Sequence, residues 1–582
     1  MRRHTKTLMG LVLMCLAAGC GSTAGGAGDQ SAGTGNSSFF YGARMIPGDG
    51  SAPIDNANFI VTDGKITVIG KKGEVTPPKG SAQVDLSGRT LVPVFIDLSA
   101  QPGMNNGAQY GPKNYNRDSV TADLDRYQYY GTMVVLTAGT DSGNLAASVG
   151  DEIRQGKIKG AHLYTAGGIA AKGGGPAALS DITIQVSGAS DAKKAVDDLA
   201  ASKVHAVKLW MDDGNGKGPK LKPDAFSAAI DQAHKKNLKV VAEVFDLADA
   251  KELAAAGVDG FVNSIRDKEV DDALISAMKA KNIFLAPALT SNEAKFVYAD
   301  KPDWLGEQTM REVYPARLSG YLMDEVVVNR FKRNPELGAY RQAYAMAVKN
   351  LKKLADGGVK IALGTNSGAA DTYPGYFELR EMIAMADAGM QPMEVIKSAT
   401  SIPAGILGAN DRGVLAVGKT ANFLAMPSSP LDKMSNIKDV GILYVNGSEQ
   451  ERTALIQNIQ INASNFNISA DDRKKDAAAG AEEARKAAED KMPHYGSKFP
   501  LGPSALIHGV PIPTPLHSKF TKSGDRVTVS MAANAADLKD FYAKVLPSAY
   551  GFTPAGNCFE KNGKKACVEA SNGSATVTVT DK

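Results

Sequence analysis

Eight short runs rich in β-branched and aromatic residues constrain the fold of this chain more than any other feature of its sequence. Helical patterns such as PDAFSAAIDQAHKKN lie between several of these runs. The alternation is typical of parallel strands joined by helices, and it predicts an α/β fold with a TIM-like (β/α)8 barrel over residues 91–410. The runs are 91–99, 132–138, 162–167, 206–211, 239–245, 260–265, 283–290 and 359–366.

The segments on either side of the predicted barrel, 38–90 and 411–465, are predicted to form one small β domain together. The first contains the hairpin-like FIVTDGKITVIG, and the second contains DRGVLAVGKTANFLAM. Inside the barrel region, residues 291–358 are predicted to form a helical insertion before the last strand.

The remainder of the chain predicts a linker followed by a separate C-terminal α+β domain. Residues 466–515 combine a spacer rich in Ala, Glu, Lys and Arg with a stretch too rich in Pro and Gly for regular structure. Residues 516–582 contain DRVTVSM, a helical pattern, a cysteine hairpin and SATVTVT, which predict a βαβββ order.

Cys558 and Cys567 are predicted to form a disulfide. The segment NCFEKNGKKAC centres on Asn562-Gly563, a strong signal for a two-residue hairpin because both turn positions favour positive φ. Pairing outward from that turn places the two cysteines opposite each other, with Cα atoms about 4.5 Å apart. Two unlinked thiols or a small metal clip are the alternatives.

Residues 1–19 resemble the signal peptide of a bacterial lipoprotein. MRRHTK is basic, LMGLVLMCLA is apolar but too short to span a membrane, and LAAGC ends at Cys20. The resemblance implies export, cleavage before Cys20 and lipid attachment to its sulfur, with residues 20–37 as a flexible tether. The protein would then face the periplasm or the cell surface from the cell membrane or outer membrane. An ordinary cleaved signal is the alternative.

The order of segments from 39 to 101, together with 411–426, resembles the amidohydrolase superfamily, and imidazolonepropionase-like members in particular. The resemblance spans roughly residues 38–450. Family members carry Asp-x-His-x-His on the first barrel strand, where the two histidines bind metal. The corresponding positions here are Asp97, Ser99 and Gln101, so the aspartate is retained and both imidazoles are replaced.

The same comparison extends to the other metal-ligand positions of the family. Lys208 stands where members have a lysine that can be carbamylated to bridge two metals. Glu243 and Phe245 replace a histidine pair, and Asn263 replaces a further histidine. Asn366 replaces the aspartate that activates water; its amide has no titratable proton to serve as a base. The resemblance therefore implies that most metal ligands are lost.

Other histidines are not expected to restore a metal site. Of the seven in the chain, only His162 and His205 fall in the barrel region without lying in a helical pattern. His205 precedes Lys208 by an odd number of strand positions, so it is predicted to face away from that lysine. A hydrolytic zinc site needs about three protein ligands. No cofactor is therefore predicted; zinc or another divalent metal enters only if the protein is an enzyme.

The seven positions that match the family site are expected to converge at the barrel mouth, because strand C-terminal ends carry the chemistry in such folds. A buried ammonium and a buried carboxylate are each costly alone, so Lys208 and Glu243 are predicted to pair directly. The cluster either fills the mouth as a structural element or binds a small molecule. Its members are Asp97, Ser99, Gln101, Lys208, Glu243, Asn263 and Asn366.

These observations predict a cell-envelope lipoprotein that binds or scaffolds without metal-dependent hydrolysis. The alternatives are a hydrolase of C–N bonds in small amides or dipeptide-like substrates, and a purely structural envelope protein. A net charge of +4 over 582 residues, without a basic tract interleaved with aromatics, argues against a nucleic-acid partner. A membrane, reached through Cys20, and a small ligand are the partners expected.

Overall fold

The computed structural model describes most of the first 461 residues and parts of the C-terminal segment. The predicted leader 1–19, Cys20, the tether as far as residue 36, most of the 466–515 linker and the helix predicted after residue 531 lie outside the described residues. No described helix is both long and apolar enough to cross a membrane. The described residues are 37–107, 109–141, 143–213, 218–461, 505–507, 510–512, 519–523, 526–531, 543, 553–556, 558–561, 564–571 and 574–581.

Seventeen strands precede residue 450 in the described part. They are β1 (Ser37–Met45), β2 (Ile54–Thr62), β3 (Lys65–Lys71), β4 (Ala82–Asp85), β5 (Thr90–Pro93), β6 (Phe95–Ala100), β7 (Thr132–Thr137), β8 (His162–Tyr164), β9 (Ala166–Ala171), β10 (Ile184–Val186), β11 (Ala206–Trp210), β12 (Lys239–Glu243), β13 (Gly260–Phe261), β14 (Phe284–Leu285), β15 (Phe423–Met426), β16 (Ile442–Val445) and β17 (Ser448–Glu449).

The described helices follow or connect these strands. They are α1 (Arg117–Tyr129), α2 (Leu145–Arg154), α3 (Ala189–Ala201), α4 (Pro223–Lys235), α5 (Leu247–Ala256), α6 (Asp272–Ala280), α7 (Leu289–Glu293), α8 (Gln308–Arg311), α9 (Ala316–Leu322), α10 (Glu325–Arg333), α11 (Leu337–Asp356), α12 (Tyr376–Asp387), α13 (Pro392–Ala399), α14 (Ser401–Leu407) and α15 (Arg452–Ile461).

One sheet joins the two segments that flank the central region. Its strand order is β17-β16-β15-β5-β1-β2-β3, and β4 also pairs with β1. Three fully buried rings form its core: Phe40 stacks on Phe59 with centroids 4.8 Å apart, and Phe423 meets Phe40 edge-on at 5.8 Å. Residues more than 360 positions apart therefore share one hydrophobic core.

The central region has an α/β fold with parallel sheets. β6, β7 and β8 form one sheet, and β10-β9-β11-β12-β13-β14 form another. All pairings within these two sheets are parallel. The segment after α11 links the two sheets, since Ile361 bridges Leu285 and Leu363 O accepts from Leu98 N at 2.9 Å. This order is consistent with the TIM-like barrel expected from the sequence.

Several predicted strands differ in extent from the observed ones. The run 91–99 divides at Val94: β5 pairs with β1 and β15, while β6 pairs with β7. The run 283–290 ends early because Ala288 adopts a positive φ of 50° and α7 begins at the next residue. The last run, 359–366, contributes one isolated bridge, at Ile361, rather than a regular strand. A hydrophobic run in the sequence identifies a buried segment, but it does not show at which residue the hydrogen-bonded β-ladder ends.

The C-terminal segment contains more strands than the predicted βαβββ order. Its six-stranded antiparallel sheet adds two edge strands whose polar or Pro-containing sequences, KFTKS and TPA, lack an apolar alternation. A further antiparallel pair lies inside the stretch predicted to be an irregular linker. The strands are β18 (Ala505–Ile507), β19 (Val510–Ile512), β20 (Lys519–Ser523), β21 (Arg526–Met531), β22 (Thr553–Ala555), β23 (Cys558–Lys561), β24 (Lys564–Ser571) and β25 (Ser574–Asp581).

The cysteine hairpin of this sheet carries a disulfide. Cys558 on β23 lies opposite Cys567 on β24, and the two sulfurs are bonded with Cα atoms 4.1 Å apart. The turn residues Asn562 and Gly563, from which the pairing was predicted, lie outside the described residues.

Candidate functional site

A buried ion pair lies where two neighbouring parallel strands end. β11 and β12 are in register with Lys208 beside Val241 and Trp210 beside Glu243. Lys208 and Trp210 share one face of β11, whereas Val207 and Leu209 face the helices. Lys208 Nζ lies 2.6 Å from Glu243 Oε2 and 3.6 Å from the centroid of the Trp210 ring.

The Lys208–Glu243 pair is largely shielded from solvent. The Lys208 side chain is 0% exposed and that of Glu243 is 12% exposed. Burial lowers the pKa of Lys208, whereas the adjacent Glu243 carboxylate acts in the opposite direction. The two atoms are at ion-pair distance, although their angles fall outside hydrogen-bond geometry. The ammonium is thus held by a carboxylate on one side and an aromatic face on the other.

Asparagines extend the pair toward the next strands. Asn263, just after β13, donates to Glu243 Oε1 at 3.3 Å. Its own Oδ1 accepts from Ser264 N and from Asn292 Nδ2, each at 2.8 Å. The name strand-end cluster is used below for Lys208, Trp210, Glu243 and Asn263.

Gln101, at the end of the first parallel strand, joins this region through a tyrosine. Tyr110 donates to Gln101 Oε1 at 2.5 Å. Burial raises the pKa of Tyr110 above its ordinary value, and the charge of Glu243 adds to that rise, so the phenol lies within electrostatic reach of the strand-end cluster. Sequence reasoning missed Tyr110, whose surrounding loop shows no periodic pattern.

Ser99 and Asn366 contact each other directly. Ser99 Oγ donates to Asn366 Oδ1 at 2.7 Å. Asn366 has a positive φ of 55° and its backbone N–H donates to Ser99 O at 2.7 Å. Asparagine is one of the few residues that tolerate this conformation. The two residues therefore fix the last parallel segment to β6.

Asp97 belongs to a separate buried group, the carboxyl pair, formed with Glu378 of α12. Both side chains are 0% exposed. Thr365 Oγ1 lies 2.6 Å from Asp97 Oδ2 and 2.9 Å from Glu378 Oε1. Burial and then the charge of Glu378 raise the pKa of Asp97 well above its usual range, and burial also raises that of Glu378.

Glu378 had no counterpart in the sequence predictions. It lies in YFELREMIAMAD, where Glu378 and Glu381 share the buried face of a helix with Leu379 and Met382. Two acids among apolar residues on one helix face were the available signal.

A second ion pair and an additional lysine lie beside the strand-end cluster. Arg266 Nη2 donates to Asp212 Oδ2 at 2.7 Å, and its Nη1 donates to Val244 O and Ser264 O at 2.9 and 2.8 Å. Lys295, after α7, is within electrostatic reach of Arg266, Asp212 and Glu243. Nothing in the local sequence distinguished these residues.

The described histidines of the central region have other environments. His205 Nδ1 accepts from Thr165 N at 3.0 Å, and its ring lies 4.7 Å from that of Tyr164. Burial lowers the pKa of His162 to about 4. His234 Nε2 lies 2.9 Å from Asp259 on the surface.

These side chains do not fit a divalent-metal site. Zinc sites need about three imidazole, thiolate or carboxylate ligands. No group of three or more such side chains in the described residues is arranged to hold a metal ion. The one carboxylate of the strand-end cluster is paired with an ammonium, and Asp97 faces Thr365 and Ser99 N instead.

The model of the amidohydrolase family matches residues 214–449. Ochratoxinase from Aspergillus niger is 23% identical over 441 residues, covering 67% of this chain and 81% of the ochratoxinase. Imidazolonepropionase from Deinococcus deserti is 36% identical over 80 residues, which is 13% of this chain and 20% of that protein.

Solved structures share the fold. A Xaa-Pro dipeptidase with bound methionine aligns with a TM-score of 0.57 and 20% identity, covering 71% of this chain and all of the dipeptidase. At this level of identity the similarity concerns the fold, and what the residues do must be argued from the site itself.

Proposed function

We propose that this chain, of which residues 214–449 match the amidohydrolase family model, binds a small molecule at the strand-end cluster and does not perform that family's metal-dependent hydrolysis. The finer architecture that goes with this proposal is a closed eight-stranded barrel whose mouth contains the cluster. The observation that carries the proposal is the Lys208–Glu243 ion pair, with a contact of 2.6 Å. The Lys208 ammonium is paired with the one carboxylate of the strand-end cluster.

The chemistry of the neighbouring residues supports this view. Activation of a water molecule requires a base or a metal to lower its pKa. Asn366 accepts from Ser99 and has no group that titrates near neutral pH, while the cation of Lys208 repels a metal placed beside it. The remaining polar atoms of Gln101, Tyr110 and Asn263 can recognise a ligand by hydrogen bonds.

Metal analysis and hydrolysis assays test the catalytic half of the proposal. Protein purified without chelators or a histidine tag is expected to contain well under about 0.1 zinc or manganese per chain, since a site needs about three good ligands. N-acyl amino acids and Xaa-Pro dipeptides should not be cleaved above the buffer rate, with or without added Zn²⁺ or Mn²⁺. Near-stoichiometric metal with chelator-sensitive turnover would instead establish a C–N hydrolase.

Tryptophan fluorescence tests the binding half. The chain has two tryptophans, Trp210 in the strand-end cluster and Trp304 near α8. A ligand bound at the cluster, screened from pooled small metabolites, should change the emission of Trp304→Phe, which keeps Trp210. The matched variant Trp210→Phe, which keeps Trp304, should not respond. Absence of a response and of any thermal shift across the pool would contradict a binding role.

We further propose that Cys20 anchors the protein to a membrane. Support comes from the lipobox-like LAAGC and the Gly- and Ser-rich stretch that follows it. Wild-type protein expressed in bacteria should incorporate an alkynyl fatty acid and sediment with membranes, whereas Cys20→Ala should do neither. Cys15→Ala, inside the leader, should behave like wild type. Unlabelled wild-type protein in the soluble fraction would contradict lipidation.

A further inference from the structure

A cavity of 740 Å³ lies between α2 and the turn that joins α3 to β11. Its volume is in the range of small-molecule sites, roughly 300–1,000 Å³. β11 begins at this turn and ends at the strand-end cluster, roughly 16 Å away at about 3.3 Å per residue, so the two places are separate. The cavity is called the α2–α3 groove below. Its ionisable lining residues are Asp151, Glu152, Arg154, Lys157, Lys203 and His205.

Lys203 has a backbone conformation that other helix ends of this chain assign to glycine or asparagine. It follows α3 with a φ of 59°. The left-handed residues after α1, α2, α5, α11, α12 and α14 are Gly131, Gly156, Gly257, Gly358, Gly389 and Gly408, and those after α4 and α6 are Asn237 and Asn282. A lysine is strained in this region, and strained residues concentrate at functional sites. The strained residue of this set is one that lines a cavity with its side chain.

The acids of the α2–α3 groove are paired, whereas its two lysines are not. Asp151 accepts from Arg154 Nη2 at 2.6 Å, and Glu152 accepts from an arginine of α1 at 2.9 Å. Lys157 and Lys203 are exposed, and neither ammonium forms an ion pair or hydrogen bond with any described residue. Two positive charges therefore remain available in the groove for an anion.

His205 adds a donor with a fixed direction. Its Nδ1 accepts from Thr165 N at 3.0 Å, so the ring proton is on Nε2. The ring is half-buried and packs edge-on against Tyr164, with centroids 4.7 Å apart. No residue in the described ranges accepts from Nε2. A held imidazole N–H at a cavity is the kind of polar group that orients a ligand.

We propose that the α2–α3 groove binds the phosphoryl group of a small, water-soluble phosphate monoester. Such a group carries close to two negative charges near pH 7, which the two lysines match, and ammonium groups bind phosphate as point charges. Nε2–H of His205 donates to a third phosphoryl oxygen. A carboxylate has half the charge and two oxygens for three donors, so it should bind more weakly. Ala147 and Ala201 line the rest of the groove, where the organic part of the ester fits.

Matched probes with one carbon skeleton test this proposal. Glycerol 3-phosphate, glycerate, glycerol and inorganic phosphate are titrated into the full-length protein by calorimetry at low ionic strength. Glycerol 3-phosphate should bind at least about tenfold more tightly than glycerate, and glycerol should not bind. Inorganic phosphate should bind more weakly than the ester, because it lacks the organic part. Equal binding of glycerate and ester, tighter binding of inorganic phosphate, or no binding of the ester would each overturn the proposal.

Lys203→Gly separates ligand binding from protein stability. Glycine adopts the left-handed conformation without strain, so the melting temperature of the free protein should rise. The affinity for glycerol 3-phosphate should nevertheless fall at least about fivefold, since one of two charges is removed. An unchanged affinity in this variant would overturn the proposal.

Three further variants and a control locate the site. Lys157→Gln should weaken binding of glycerol 3-phosphate, and so should His205→Asn, which keeps an acceptor for Thr165 N but lacks Nε2–H. Asp151→Asn should strengthen it by removing a negative charge. Lys159→Gln, at an exposed lysine outside the groove, should bind like wild type. Equal weakening in Lys159→Gln would mean that general charge attracts the ester, and would overturn the assignment. None of these changes touches the strand-end cluster, so the outcome is independent of the function proposed for it.

Discussion

Glu243→Gln is expected to lower the free energy of unfolding by about 3–5 kcal/mol, because it removes the partner of a buried ammonium. Lys208 is 0% exposed, its Nζ lies 2.6 Å from Glu243 Oε2, and the more weakly acting charge of Asp212 favours the ammonium in the same direction. An amide at position 243 cannot balance the charge, so Lys208 must deprotonate or draw in water. The expected result is a large decrease in the guanidinium midpoint, followed by the fluorescence of Trp210 and Trp304.

A double-mutant cycle shows whether the effect belongs to the pair. Lys208→Met should cost less than Glu243→Gln, since Glu243 is 12% exposed and can gain some hydration. The double variant should be more stable than Glu243→Gln alone, which leaves the ammonium uncompensated, and the coupling free energy should be on the order of 2 kcal/mol. Asp198→Asn, which removes an exposed pair with Lys194, is the control and should leave the midpoint unchanged. Additive single effects would mean that the two charges do not stabilise each other.

Asp97→Asn is expected to be nearly neutral near pH 7, whereas Asp97→Ala should cost about 2–3 kcal/mol. The reason is that the hydrogen bonds linking the Asp97 and Glu378 carboxyl groups through Thr365 require one proton more than the Thr365 hydroxyl supplies. The Thr365 hydroxyl has one proton, yet its oxygen lies 2.6 Å from Asp97 and 2.9 Å from Glu378. It also accepts from Ser367 N at 2.9 Å. One carboxyl must therefore be protonated, and Glu378, which also accepts from Ser367 Oγ, is the better anion.

The pH dependence of stability provides the check. A carboxyl whose pKa is higher in the folded state contributes stability that is complete below its unfolded pKa near 4 and is lost as pH rises through the folded pKa. Asp97 is such a group, because burial and then the charge of Glu378 raise its pKa. Wild type should thus lose stability as the pH rises above the unfolded pKa of about 4 toward the raised pKa of folded Asp97. Asp97→Asn should lose less.

Other titratable groups also contribute to the pH dependence of the free energy of unfolding. Glu381 has a pKa raised to about 7 by burial, so it adds a loss of stability over the same range in both proteins. Arg126 is engaged with Asp123 at 2.6 Å and does not neutralise Asp97. A strongly destabilised Asp97→Asn at every pH would show that Asp97 is ionised in the folded protein.

The pairing of Lys208 with Glu243 could be predicted from the sequence because it depends on few geometric details. Two adjacent parallel strands with an ionisable residue near each C-terminal end bring those residues to one edge, and burial of either charge alone is costly. The predicted contact is present at 2.6 Å. The alternation of strands and helices similarly predicted parallel sheets, since it depends on periodicity summed over many residues.

Other contacts of the site could not be predicted from the sequence. Asp97 was grouped with Ser99 and Gln101 by alternation along one strand, but alternation did not show that its carboxyl also contacts Thr365 Oγ1, which in turn contacts Glu378 of α12. Contacts such as Asp97 with Glu378 join residues about 280 positions apart. A single acidic residue in a helical pattern does not indicate which distant residue it contacts.

The division of residues 91–99 between two sheets affects how the chain must be assembled. β5 is flanked by β1 on one edge and by β15 on the other, with Leu91 opposite Ala425. During synthesis from the N-terminus, that second edge stays open until about 330 further residues have followed. A polypeptide interrupted before residue 423 would expose an apolar β-edge, TLVP, that can recruit other chains, so nascent forms of this protein need protection from aggregation.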